Sequence, residues 1–272
     1  VSCPQVPSAA AAAFDAIAER FDQRFSSWLS VAAQRRAVRA ALAQAFPPAS
    51  RLIEIGGGTG EDALWLVERG REVMLTDASP RMVQMATAKF QDRAFAHAKI
   101  CAAEHLADLA DQIGAPFDGA YSNFAALNCV SDLAPFAEGL AKLLRPGASA
   151  LLVIFGVVCP GEWLVETLHG RPKNIFRRFA VGDQPARLGG RAFTVRYHRR
   201  RDLERAMAPW FRPKGRQGIG VFVPPSAAEP WISSHPRLVQ RLERLDLGLS
   251  APLAALGDHI LYRFERTNAE AR

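Results

Sequence analysis

The sequence predicts an α/β chain with a doubly wound parallel sheet at its centre. Three observations carry that prediction. Strand-like and helix-like segments alternate from position 51 to position 155, the pattern of parallel strands joined by crossover helices. The β-prone run Arg51-Leu-Ile-Glu-Ile55 leads into glycines at 56, 57, 58 and 60, then a helical run, then a second strand ending in Asp77. The segment Ala148 to Phe155 is apolar at nearly every position, as a strand buried on both faces must be.

Composition sets the outer limits. The chain has 272 residues, 49% of them hydrophobic and 22% charged, which suits one large domain or a domain with a substantial insertion. No apolar run approaches the length of a membrane span, so a membrane is not expected as a partner. The alanine-rich start from Ser8 to Ala13 has no basic flank and reads poorly as a signal peptide. Cys3, Cys101, Cys129 and Cys159 show no CxxC or zinc-like spacing. They read as reduced thiols of a cytoplasmic protein, and no metal is expected. Charge is uneven: the first 150 residues carry 14 Lys+Arg against 16 Asp+Glu, the rest 20 against 11. A basic second half fits an anionic substrate, a nucleic acid, or only a solvated surface.

Taken in order, residues 14–45 read as helical. Phe14, Ile17, Ala18, Phe21 and Phe25 recur at spacings of three and four, and a second helix from Arg35 to Ala45 stops at Pro47-Pro48. After the first strand and the glycines, Asp62 to Arg69 is a helix and Glu72 to Thr76 the second strand. Ser79 and Pro80 have the character of N-cap and first helical residue for a helix running to Phe90. Phe95 to Cys101 is the third strand, Phe117 to Ser122 the fourth, and Asp132 to Leu144 a helix ended by Arg145-Pro146-Gly147. Beyond the fifth strand, short helices are expected at 162–168 and 174–180, a strand from Ala192 to Tyr197, and a late helix from Asp202 to Ala208. A sixth strand region from Phe211 to Val223, a helix from Pro236 to Leu245 and a last strand from His259 to Glu265 complete the chain.

The glycine spacing discriminates between ligands. A dinucleotide turn, Gly-x-Gly-x-x-Gly, would need glycine at 61, where the chain has Glu. Glu61 and Asp62 would also repel a pyrophosphate at the following helix N-terminus. What stands is Glu54-x-Gly56-x-Gly58-x-Gly60. That pattern resembles motif I of the class I S-adenosylmethionine-dependent methyltransferases. The resemblance runs from about Phe14 to Glu265, and the two insertions match no subgroup. It implies a Rossmann-like, doubly wound, seven-stranded sheet and S-adenosylmethionine as cofactor, with S-adenosylhomocysteine as product.

By that resemblance, Glu54, Gly56, Gly57, Gly58 and Gly60 form the cofactor turn, and Asp77 with Ala78 meets the ribose. Met82 lies near the adenine or equally belongs to the core. Ala102-Ala103-Glu104-His105-Leu106 is similar to the family's Gly-Asp-Ala-Glu-x-Leu stretch, with Ala102 where the Asp usually stands. Adenine recognition then falls to the Ala103 backbone, to Glu104 or to water. Asn123 and Phe124 would line the methionine end of the cofactor. The sequence Asn123-Phe124-Ala125 lacks the Pro-Pro-aromatic cradle of enzymes that methylate adenine N6, which argues against DNA-adenine methylation.

Residues 1–48 are expected to form a helical cap on a core spanning 49–272. Insertions at about 157–199 and 224–257 leave from strand ends on the ligand side and roof the site. A roofed site suits a small acceptor, partly apolar and, from the arginines of the first insertion, anionic. Candidate acceptor contacts are Phe21, Arg24 and Trp28 in the cap, Asn128 after the fourth strand, and Arg177, Arg178 and Tyr197 in the insertion. Adjacent helical residues point about 100° apart, so at most one of Arg177 and Arg178 should face inward; both solvated outside is the alternative. His169, Tyr197, His198 and His235 are candidate bases, each of a kind more often structural. The basic block Arg196, Arg199, Arg200, Arg201, Arg205, Arg212, Lys214 and Arg216 supports a second reading, an RNA-modifying methyltransferase. A non-catalytic S-adenosylmethionine-binding protein is the third.

Overall fold

The structure, a computed structural model, describes residues 8–269; Cys3 lies outside the described residues. Three helices open it: α1 (Ala9–Asp15), α2 (Ala18–Ser26) and α3 (Leu29–Ala45). The alternating unit follows as β1 (Arg51–Ile55), α4 (Glu61–Val67), β2 (Glu72–Asp77), α5 (Pro80–Phe90), β3 (Ala96–Ile100), α6 (Leu106–Ala110), β4 (Phe117–Ser122), α7 (Leu133–Leu143) and β5 (Leu144–Phe155). The sequence-based boundaries of this unit hold to within a few residues because each is fixed locally. Ser79 caps α5 by accepting from the Met82 amide, and Asp132 caps α7 by accepting from that of Ala134.

Past β5 lie α8 (Pro160–Leu168), a 3₁₀ segment Pro172–Phe179, and a hairpin of β6 (Asp183–Leu188) with β7 (Arg191–Arg196). Then come α9 (Arg200–Met207), β8 (Phe211–Ile219), α10 (Pro236–Leu249) and β9 (His259–Arg266). The hairpin corrects the expectation of one strand: only its second arm was apparent, because β6 carries Asp183, Pro185 and Arg187 on an exposed edge.

The main sheet has seven strands in the order β3-β2-β1-β4-β5-β9-β8. The five strands β3 to β5 run parallel, and β9 returns antiparallel between β5 and β8. Apolar layers cover both faces. On one, α3, α4 and α5 press Val38, Leu42, Phe46, Leu66 and Val83 onto Leu52, Val73 and Leu75. On the other, Leu106, Leu109, Phe136, Leu140, Leu203 and Met207 cover Ile53, Phe117 and Leu152. Strand order reverses between β1 and β4, and ligands of open α/β sheets bind at such a switch point, beyond the strands' carboxyl ends. Because β9 is antiparallel, its first residue sits at that same end, with His259 opposite Phe155.

Candidate active site

The turn after β1 is shaped by its glycines. Gly56, Gly58 and Gly60 all have positive φ (66°, 56° and 82°), a region that side chains rarely adopt. A Cβ on Gly60 would stand 2.8 Å from Phe90, whereas one on Gly58 would meet nothing within 4 Å. Gly58 therefore faces open space. Glu54 lies buried behind the turn with Oε2 unpartnered, and burial raises its pKa well above the carboxylate range, with Asp62 adding to the effect.

Asp77, at the tip of β2, accepts from the Gly58 amide at 2.9 Å and from the Ser79 amide at 2.8 Å. Burial raises its pKa although both amides work the other way. Each oxygen keeps a lone pair for a further donor. Around it is a cavity of about 150 Å³ lined by Ile55, Gly56, Gly58, Ala78, Met82 and Ala103, with Asn123, Phe124 and Leu127 on the far side. Asp77 and Glu104 also line it, and among the described residues its walls hold no Lys or Arg. An acidic, otherwise apolar slot with an open glycine fits a nucleoside carrying vicinal hydroxyls and a cationic sulfonium. It does not fit a pyrophosphate.

The cap closes this slot. Asp15, at the end of α1, accepts from the Ser79 hydroxyl and from the Arg81 amide. Asp22 in α2 accepts from the Thr59 hydroxyl and pairs with Lys89 at 2.6 Å. Ala10, Ala11, Phe14 and Phe21 thus become walls. The cavity is smaller than the roughly 300–1,000 Å³ usual for ligand pockets, and residues of α1 and α2 form part of its wall.

Between this slot and a second chamber stands the loop after β4. Phe124 and Ala125 both have positive φ (47° and 59°), strain of the kind found where a loop is held for function. Asn123 fixes it: its Nδ2 donates to Asp62 Oδ2 at 2.7 Å, and its Oδ1 accepts from the Phe124 amide at 2.7 Å. The second chamber, of about 330 Å³, shares Phe14, Phe21 and Phe124 with the first. Phe25, Phe155, Phe193 and His259 add aromatic surface, and Arg35, Arg177, Arg178 and Arg187 add charge. The Arg35 guanidinium lies 5.0 Å over the Phe124 ring and forms long ion pairs with Glu61 (3.6 Å) and Asp62 (3.9 Å), and its buried Nε makes no hydrogen bond.

The structure corrects several expected acceptor contacts. Arg178 is buried, but its partners belong to the protein. Nε donates to Glu162 Oε2 at 2.6 Å, Nη2 to Asp258 Oδ1 at 2.7 Å, and Nη1 to the Gly156 and Asp258 carbonyls. Arg177 also pairs with Glu162. Asn128 donates to the Arg196 carbonyl and accepts from the Phe155 amide, so it joins β5 to β7 and does not face an acceptor. Arg24 and Trp28 pack on Phe25 outside the chamber. Tyr197 sits behind its wall, 5.7 Å from the Phe155 ring. Gly57 packs against Leu75 and Glu54 instead of lining the slot. Ala102 does line it.

Of the candidate bases, His198 is buried with Nε2 2.8 Å from the Val130 carbonyl, and burial lowers its pKa. Neither it nor His169 nor His235 lines the chamber. The histidine that does is His259, stacked 4.8 Å from Phe155 with Nδ1 3.3 Å from Asp258 Oδ2. It and Arg35 were missed in the sequence. The usable signal for His259 was its place at the start of a last, antiparallel strand, which must lie at the ligand end.

A doubly wound sheet of this order, with an acidic nucleoside slot at its switch point, defines the class I methyltransferase fold. Residues 53–150 match a family described as a methyltransferase domain, and that domain belongs to the class I S-adenosylmethionine-dependent methyltransferases, whose cofactor is S-adenosylmethionine. The tRNA 5-carboxymethoxyuridine methyltransferase of Escherichia coli is 32% identical over 152 residues, which cover 52% of this chain and 56% of that one. The chain thus spans about half the length of the curated relative it matches. An S-adenosylmethionine-dependent methyltransferase from Mesorhizobium loti superposes with a TM-score of 0.54 at 20% identity, covering 88% of this chain and 100% of that one. Geranyl diphosphate C-methyltransferase from Streptomyces coelicolor, solved with Mg2+, geranyl diphosphate and S-adenosylhomocysteine, gives 0.51 at 14% identity over 86% and 79%.

Proposed function

We propose that the chain transfers the methyl group of S-adenosylmethionine to a small, partly apolar, anionic acceptor bound in the second chamber. The observation that carries this is the pairing of an acidic slot with an aromatic, arginine-bearing chamber across Phe124, where Arg35 Nε makes no hydrogen bond and has only a 3.9 Å ion pair with Asp62. The cofactor supplies an already activated methyl. The chain's own work is positioning: Asp77 accepts the ribose hydroxyls, Met82 and Ala103 flank the base, and Phe21 and Phe124 frame the opening. Arg35 and Arg187 attract the acceptor's anion, and the phenyl rings hold its apolar part. His259 beside Asp258 is placed to take a proton from a hydroxyl or amine; a carboxylate acceptor needs no base.

The curated relative favours a second reading, since its name specifies a tRNA nucleoside that itself carries a carboxyl group. A groove lined by Arg196, Tyr197, Arg199, Arg205 and Trp210 supports it by mixing cations with aromatic rings. Incubating the protein with tritiated S-adenosylmethionine and a cell extract, then fractionating by size with and without ribonuclease, separates the readings. Label in the low-mass fraction supports the small acceptor. Label that ribonuclease releases from large RNA supports the second reading. No transfer to any fraction contradicts both.

A further inference from the structure

Among the described residues the acceptor chamber holds one imidazole, and its surroundings fix which nitrogen can work. His259 opens β9 opposite Phe155, stacked on that ring at 4.8 Å and edge-on to the Phe124 ring at 6.1 Å. Phe124 also lines the cofactor slot, so the imidazole stands at the partition between the two chambers. Its Nδ1 is buried, 3.3 Å from Asp258 Oδ2 and not yet aligned as a hydrogen bond. Contacts of this kind commonly tighten once substrate is bound. Nε2 has no partner among the described residues and is the ring nitrogen left open to the chamber.

Asp258 is itself held from two sides. Arg178 donates to Oδ1 and to the main-chain carbonyl, and Gln34 donates to Oδ2. Burial opposes its charge, but His259 and Arg178 keep the carboxyl ionised. An ionised carboxylate beside Nδ1 keeps the proton on that nitrogen and stabilises the imidazolium formed when Nε2 takes another.

The rest of the wall decides what gives up that proton. Arg35, Arg177, Arg178 and Arg187 line the chamber, with Glu162 and Asp258 as its acids. Both acids are taken by Arg177 and Arg178. Arg35 has only its long ion pairs, and Arg187 makes none among the described residues. An amine, largely an ammonium at neutral pH, would face cations with no free acid to meet it. A carboxylate needs no base and would leave the Asp258–His259 pair unused. A hydroxyl uses both features: it must lose a proton as it attacks, and the cationic wall stabilises the negative charge its oxygen develops.

We propose that the group methylated is a hydroxyl, with His259 Nε2 as its general base, and that the acceptor's anionic group is a separate handle for Arg35 and Arg187. This rests on the methyl-transfer reading and narrows it. The hydroxyl oxygen bonds to the methyl carbon as the carbon–sulfur bond breaks, and the electron pair of that bond stays on sulfur. The O–H proton passes to Nε2 and from there to water.

The test uses the low-mass product formed from tritiated S-adenosylmethionine and cell extract. Its label should survive mild alkali and be released as volatile methyl iodide by hot hydriodic acid, the behaviour of a methyl ether. Volatile methanol released by mild alkali would mark a methyl ester, and label resisting both treatments an N- or C-methyl group. Either result would overturn the inference while leaving methyl transfer intact. With the low-mass extract fraction as acceptor, His259→Phe keeps the ring stacking and should slow transfer about a hundredfold at neutral pH. Its affinity for S-adenosylhomocysteine, by calorimetry, should be unchanged. The wild-type rate should rise with pH and level off, and the variant should lose that plateau. His259→Gln takes its place if His259→Phe lowers the melting midpoint. A rate and pH profile equal to wild type in a folded variant would overturn the inference. Label confined to RNA, or no transfer at all, would overturn it together with the small-acceptor reading on which it rests.

Discussion

The two chambers that meet at Phe124 are built by opposite means. The cofactor slot takes its glycine turn and its ligand-facing acid from one continuous stretch, residues 51–82, where strand, turn and helix cap each follow from neighbouring residues, and other segments add only its walls. Its ligand-facing acid, Asp77, is held by the backbone amides of Gly58 and Ser79. The acceptor chamber is assembled from distant pieces. Gln34 of α3, Glu162 of α8, Arg178 and Asp258 converge in one buried network, with Gln34 Nε2 donating to Asp258 Oδ2 at 3.1 Å. One region exposes its key charge to a ligand, and the other neutralises its charges internally. A buried arginine is therefore a poor guide to an anionic substrate unless its partners are known, and Arg35, partly buried with an Nε that makes no hydrogen bond, is the better one.

That contrast can be broken in several places. The largest effect is expected at Arg178→Met, which leaves Glu162 and Asp258 buried without their cation. It should destabilise the fold by about 3–5 kcal/mol in urea titration. Arg35→Met, by contrast, removes a group whose Nε makes no hydrogen bond and whose ion pairs with Glu61 and Asp62 are long, at 3.6 and 3.9 Å. It should raise the acceptor KM about tenfold, the scale of a charged hydrogen bond, with cofactor affinity unchanged. An equal loss of both affinities would place Arg35 in the framework instead. Asp22→Ala loosens the cap, whose partly exposed pair with Lys89 contributes about 1 kcal/mol at most. It should appear as faster proteolysis of residues 8–28, with the core intact.

Acid should also separate the regions. Burial works against ionised Asp258, but His259 and Arg178 hold its carboxyl well below the ordinary range. Its contribution to stability is present above the ordinary carboxylate pKa and is lost as pH falls beneath that range. Asp77 and Glu54 are raised by burial, so they take up protons in the folded state first. Their contribution to stability increases as pH falls through their folded pKa values towards the ordinary range. An Asp258→Asn variant should therefore lose stability at neutral pH and show a shallower loss in strong acid than the wild type, measured by urea titration at each pH.

The cofactor half was legible because its signals are local. Glycine spacing, the acid closing β2, and the Ser79-Pro80 cap each constrain the chain within a few residues. The acceptor half was not, because its partners lie far apart: Arg178 finds Asp258 80 positions away, and Ser30 finds Glu229 across 199. Helical geometry admitted one inward arginine among Arg177 and Arg178, and one is buried, but no local pattern could say that two acids awaited it. The exposed leucines of α8, Leu164 and Leu168, also break the usual apolar-inward rule. They were readable only once Glu162 and Glu166 were seen facing the core.

The central claim is that the slot beside Asp77 binds S-adenosylmethionine through that carboxylate. Calorimetric titration of S-adenosylhomocysteine into the wild type and into Asp77→Ala tests it most directly. Tight one-site binding by the wild type, weakened by about 1.5–3 kcal/mol in a variant that still folds, is the predicted result. Equal affinity in both proteins, or no binding by the wild type, would contradict it.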